Sequence, residues 1–216
     1  MMRDGMGIAS KIAWHGTVTA AQPRIRLMRS FDQRSHSYPG DILTLVGTID
    51  GSERPFTVAL GKAAQAKHQL QVGDEVSGHA EPVPPFAAET AEFYKASKLK
   101  LIALSQAPES APPPWHGPPP ELPTYRSRGH RRLEAKTYAT HCRSCIWACL
   151  MPVDIMIDQW DHSRRSSRTE TFCYGPLSCP VYKAGPKRRV SGRRGMSYVE
   201  EDWVDEEAVA HRLPDE

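Results

Sequence analysis

The chain has 216 residues, of which 39% are hydrophobic and 25% charged, and a formal net charge of +3. That length suits one medium domain with a small companion, and no apolar run is long enough to span a bilayer. The few apolar residues near the start are interrupted at Lys11, which leaves no secretory core segment, so a cytoplasmic setting is expected.

The small net charge conceals a partition. Residues 1–124 carry twelve basic and twelve acidic residues, residues 125–194 fifteen against five, and residues 195–216 one Arg against eight acidic residues. A neutral region therefore precedes a block of about +10, which an acidic tail of about −7 closes. The block is the expected polyanion contact, and the tail is placed to neutralise part of it or to fold back on it.

In chain order, Ile12 to Ala20 alternates loosely and Ile25 to Leu27 continues the pattern beyond Pro23. Ile42, Leu43, Leu45, Val46 and Ile49 predict a second strand, closed by the turn pair Asp50-Gly51, and Phe56, Val58 and Leu60 a third. Lys62 to Leu70 has the composition of a two-turn helix. Val72 to Gly78 predicts a turn into a fourth strand, and Ser97 to Leu104 a fifth, with Leu99 and Leu101 on one face.

Three strands, a helix and two more strands, with Val72-Gly73-Asp74 before the fourth, resemble the OB-fold, a five-stranded barrel. The resemblance covers residues 11–105. It implies ligand contacts on the face of strands two and three and on the loops after strands one and four. Here the first loop is expected at about residues 29–41, with Arg29, Phe31, Arg34, His36 and Tyr38. The second is expected at about residues 82–96, with Phe86, Phe93, Tyr94 and Lys95. Cations mixed with aromatics suit single-stranded nucleic acid, because bases stack on rings while Arg neutralises phosphate.

Residues 106–124 hold eight prolines, which fix φ and remove backbone donors, and are expected to be an extended linker. The expected organisation is a barrel over residues 1–105, this linker, a basic cysteine-rich module over 125–196 and an acidic tail over 197–216.

All five cysteines lie in the last 75 residues, as Cys142-x2-Cys145-x3-Cys149 and Cys173-x5-Cys179. A two-residue gap lets a tight knuckle aim both sulfurs at one ion. Val153, Ile155 and Ile157 alternate as a strand, residues 161–168 are a polar turn, and Thr169 to Cys173 returns as a second strand. Knuckle, hairpin and second cysteine pair resemble a zinc ribbon. That implies a structural zinc held by Cys142, Cys145, Cys173 and Cys179. The last gap departs from the usual two to four residues. An iron–sulfur cluster is the alternative, with Cys149 as an alternative ligand, and His141 and His162 are substitutes.

Arg131 and Arg132 precede the first cysteine. Lys187, Arg188, Arg189, Arg193 and Arg194 follow the last, and are expected to form a flexible basic arm. In the tail, apolar residues recur at near-helical spacing and predict a short docked helix over 205–210.

No phosphate loop, Gly-x-Ser-x-Gly, His-Glu-x-x-His or dinucleotide-binding glycine pattern is present, which leans away from an enzyme. The expected fold is mostly β, a five-stranded OB-like barrel plus a small cysteine-rich, metal-binding β-hairpin module. The expected function is binding of single-stranded DNA or RNA. An iron–sulfur redox or electron-transfer accessory protein is the alternative, and an adaptor holding a protein partner on the neutral barrel is a third reading.

Overall fold

The long first strand organises the molecule. β1 (Ile12–Arg29) runs for eighteen residues, and its two halves serve two different cores. In the computed structural model, which describes residues 11–85, 89–105, 111–161 and 163–213, it is followed by β2 (Arg34–Ile49), β3 (Ser52–Gly61), α1 (Lys62–His68), β4 (Glu75–Pro82) and β5 (Phe93–Ala103). Then come α2 (Leu122–Arg128), β6 (Arg131–Arg132), the single turn α3 (Ala135–Thr137) running into a π-helical turn at Tyr138–Cys142, and the hairpin β7 (Ala148–Met156) and β8 (Arg165–Cys173). A small hairpin, β9 (Arg189–Ser191) and β10 (Ser197–Val199), leads to α4 (Asp202–Val209). Among the described residues no helix is long and apolar enough to cross a membrane.

The protein is mostly β. β1 pairs antiparallel with β2 along nearly its whole length and with β4 at its first half. β2 pairs with β3, β3 touches β5 in parallel at Val58 and Phe93, and β5 returns to β4. The pairings thus run in a ring, β1-β2-β3-β5-β4-β1, around Trp14, Val18, Leu43, Leu45, Ile49, Phe56, Val58, Leu60, Leu70 and Val76. The Asp50-Gly51 turn forms as its sequence predicts. Both residues have positive φ and Ile49 faces Ser52 across them, the two-residue geometry whose twist matches a hairpin.

Three departures from the expected pattern shape the surface. The loop after β1 is only Ser30–Gln33, because Arg34, Ser35, His36 and Ser37 pair with Arg29, Met28, Leu27 and Arg26. The aromatic and basic residues expected on a long loop therefore sit on a strand, and Tyr38-Pro39 fall in a register irregularity opposite Ile25, where a missing proline N–H costs nothing. β5 begins four residues early. Of its expected inward pair, Leu99 packs on the core while Leu101 is exposed. The proline-rich stretch also ends in a helix, with Pro123 in the first turn of α2, a position where the missing N–H is harmless.

The cysteine-bearing hairpin is continuous with this sheet. β7 pairs in parallel with the far end of β1, Leu27 opposite Val153 and Arg29 opposite Ile155, and β8 and β6 follow outward. The second core sits there: Ile25 and Leu27 of β1 pack with Leu122, Tyr125, Cys149, Met151, Val153, Ile155, Phe172 and Tyr174. The polar turn lies four residues earlier than expected, since β7 ends at Met156 and β8 starts at Arg165.

Candidate functional site

Two places gather the residues of interest. The first is a small pocket lined by Cys142, Cys145, Cys173 and Cys179 together with Trp115, Trp147 and His141. The π-helical turn delivers Cys142, and Cys145 follows in a tight turn, its N–H donating to the Cys142 carbonyl at 3.1 Å. β8 ends on Cys173, and Cys179 closes a turn back to Pro176. Gln22 of β1 anchors the knuckle, its amide donating to the carbonyls of Cys142 and Cys145 at 3.0 Å each while Tyr138 donates to its oxygen at 2.8 Å.

Burial pushes the Cys142 thiol up to about 12 and the Cys145 thiol up to about 11, and raises Cys173 as well. Opposing this, backbone N–H groups point at the sulfurs of Cys145 and Cys173, with the Arg131 guanidinium beside the latter. All five cysteines are free thiols. Among the described residues no three His, Cys, Asp or Glu side chains are arranged to hold a metal ion, so the four sulfurs share a pocket without forming a coordination sphere. Cys149 lies apart in the second core, fully buried and donating to the Pro23 carbonyl. His162 and Phe86 lie outside the described residues.

The second place is the end of the molecule where the β1–β2, β7–β8 and β9–β10 turns meet. One cleft of about 140 Å³ is lined by Ser30, Phe31, Asp32, Met156, Trp160, Arg193 and Met196. Two neighbouring clefts share Ser30 with it and extend the surface to Arg34 and Met28 on one side and to Tyr198 and Trp203 on the other. Phe31 is 41% exposed and Trp160 84%. Asp158 ties the turns together, 3.4 Å from the Arg193 guanidinium and 3.9 Å from that of Arg164. Gly192 lets the small hairpin approach, since a Cβ there would lie 3.2 Å from that of Phe31.

The structure divides the cations expected to contact nucleic acid. Phe31, Arg34, Arg189, Arg193 and Arg194 are exposed. Arg29, Arg131, Arg132 and Arg188, expected as contacts, are instead buried and held by groups of the fold. Arg29 pairs with Glu200 at 2.8 Å. Arg132, 1% exposed, donates from both its backbone N–H and its Nε to Asp205 at 2.9 Å and from its Nη2 to Asp202 at 2.6 Å. Arg188 pairs with Glu170 at 3.0 Å and lies over the Phe172 ring. Arg131 stacks on Tyr182 and donates to the Pro176 carbonyl. Lys187 pairs with Glu201 and Asp202, and Tyr38 is half-buried under the Arg126 guanidinium.

The expected flexible arm is thus a folded hairpin, because Arg188 is held inside and Val190 packs in the second core. The acidic tail docks. Its helix buries Val204 and Val209 and turns Asp202 and Asp205 onto Arg132 of the basic block, while Glu200, just before the helix, reaches Arg29 of β1. Trp160 carried a signal that sequence pattern left unused, a lone Trp in a polar turn. Behind the surface, His36 and His130 stack edge to face at 4.8 Å. Burial, with Arg34 and Arg29 nearby, pulls His36 down to about 4, and burial lowers His130 as well.

The chain matches no protein-family model, no curated protein and no solved structure.

Proposed function

We propose that the chain binds single-stranded nucleic acid across the surface where the three turns meet. One observation carries the reading: Phe31, Trp160 and Arg193, far apart in sequence, line a single cleft. Exposed rings accept bases by stacking, which contributes roughly 1–3 kcal/mol per base, and Arg34 and Arg193, which line these clefts, together with the exposed Arg189 and Arg194 of the β9–β10 segment, neutralise phosphates. The order of strand pairings, with a helix between β3 and β4, supports an OB-like barrel, and the surface begins at the turn after its first strand, a ligand-binding position in that fold. Fluorescence anisotropy with labelled single-stranded DNA and RNA at several salt concentrations tests the proposal. Binding that weakens steeply with salt is expected, and no binding at low salt overturns it.

Zinc held by Cys142, Cys145, Cys173 and Cys179 belongs to the same reading. Four thiols line one pocket, with backbone N–H groups at the sulfurs of Cys145 and Cys173 and the Arg131 guanidinium at the latter. They are the donor type a soft cation takes as thiolates, and they would have to draw together to hold it, since no three are so arranged among the described residues. Such an ion would tie the knuckle to the end of β8. An iron–sulfur cluster on the same cysteines, in an electron-transfer accessory protein, is the alternative that the donor set favours next. Five free thiols suit a reducing, cytoplasmic setting. Elemental analysis of protein purified without air separates zinc from iron.

A further inference from the structure

A cavity of about 640 Å³ lies between α1 and the proline-rich segment. Its volume falls in the range of small-molecule sites. Pro118 to Pro120 and Pro123 form one wall, and Ala63 and Ala66 of α1 the other. Two buried polar side chains are among those that line it, each with an oxygen closed off from solvent. Asp41, on β2, is 3% exposed, makes no ion pair among the described residues, and its Oδ1 has no hydrogen-bond partner. Gln65, also buried, spends its amide N–H on the Leu70 carbonyl at 2.9 Å, which leaves its Oε1 without a partner.

Two buried acceptors without donors among the described residues, on side chains that line one cavity, are costly in a folded protein. Local backbone geometry holds the carboxyl there: Gly40, just before it, has φ +151°, and a Cβ would lie 2.0 Å from the Leu60 carbonyl oxygen, so β2 turns Asp41 inward at a point only glycine permits. The missing complement is a compact group rich in donors and positively charged, joined to a short apolar body.

We propose that this cavity is a binding site for a small primary alkylamine, whose ammonium donates to Asp41 and to the Gln65 oxygen while its methylenes lie along the prolines. Lys62 and Glu121 also line the cavity, and the Tyr125 ring lies close enough to feel the carboxyl's charge. A diamine is the better ligand, because Glu121 is available to its second ammonium. Burial raises the Asp41 carboxyl to about 7, so the site takes its charged form only above neutral pH.

The test is calorimetric titration of the full chain with 1,4-diaminobutane at pH 8 and pH 6, repeated with Asp41→Asn and with Ala66→Phe, which fills the slot from an exposed helix position. Binding at pH 8 is expected, roughly tenfold weaker at pH 6 as the carboxyl protonates. It should be at least tenfold weaker in either variant, and the residual binding of Asp41→Asn should not depend on pH. Absence of binding by the wild type at both pH values overturns the proposal, as does binding that Asp41→Asn leaves intact. Circular dichroism of each variant confirms that it is folded. Because the cavity is remote from Phe31 and Trp160, oligonucleotide binding should be unchanged in both, so either proposal can fail alone.

Discussion

Arg29 at the end of β1 and Glu200 at the start of the acidic tail, 171 residues apart in sequence, form an ion pair 2.8 Å long with both side chains buried. The guanidinium would otherwise sit uncompensated beside the second core, so the tail completes the interior there. Breaking such a pair by removing one partner typically costs about 3–5 kcal/mol, because the other charge stays buried. Glu200→Ala should therefore lower the free energy of urea unfolding by about that amount. A change below about 1 kcal/mol would show that the pair contributes nothing to the fold.

Trp160 is almost fully exposed, so Trp160→Ala should leave the melting temperature unchanged while weakening single-strand binding by roughly 1–3 kcal/mol. The double variant Arg193→Ala/Arg194→Ala should reduce the slope of log affinity against log salt by about one to two. Equal slopes in wild type and double variant would remove both cations from the interface. Arg132→Ala, in contrast, should lower stability first, since its guanidinium holds Asp202 and Asp205.

The Asp41 carboxyl titrates at about 7 in the folded chain, against about 3.9 when unfolded. With the folded value raised, its contribution is fully present below about pH 4 and is lost as pH climbs to about 7. Asp41→Asn should thus be more stable than wild type at pH 8, by on the order of 3 kcal/mol, and equal to it at pH 4. Parallel denaturation curves at the two pH values measure the difference.

His36 has the opposite sign. Its folded value is lowered to about 4 from the ordinary 6.5, so its contribution is present above pH 6.5 and is lost as pH falls toward 4. His36→Phe keeps a ring against His130 and cannot take up a proton. Between pH 7 and pH 4 it should lose less stability than wild type, by on the order of 2 kcal/mol. Identical pH profiles would place the acid sensitivity elsewhere, His130 being the first place to look.

If an ion occupies the cysteine pocket, a strong chelator should lower the melting temperature, and Cys145→Ser should lose metal content. Cys149→Ala should keep its metal and lose only packing in the second core. Metal content that falls with Cys149→Ala and not with Cys145→Ser would exchange the two roles.

Much of the first half was legible because its signals are local. Alternation along β1, β2 and β3, helix formers between Gly61 and Leu70, and the Asp50-Gly51 pair each act within a few residues. The β7–β8 hairpin and the apolar face of the tail helix were readable for the same reason. Arg34 to Tyr38 read as loop because what makes them a strand is a partner, the far half of β1, and period-two patterning is weak where one face carries His36 and Tyr38. Phe31 was visible as a candidate; its meeting with Trp160 was not, since no pattern links two turns of different hairpins.

What the sequence by itself determined was the inventory: which segments alternate, where the prolines stand, that five thiols and a basic block precede an acidic tail. Tertiary structure decided the use. It set β7 beside β1, so that the hairpin joins the first sheet, and it brought carboxylates from the tail onto Arg29 and Arg132. It also left Asp41 inside with an oxygen that has no partner among the described residues. The physical reason is that alternation and turn chemistry are short-range, whereas burial, and with it the choice of which charges face solvent, depends on contacts between residues far apart in the chain.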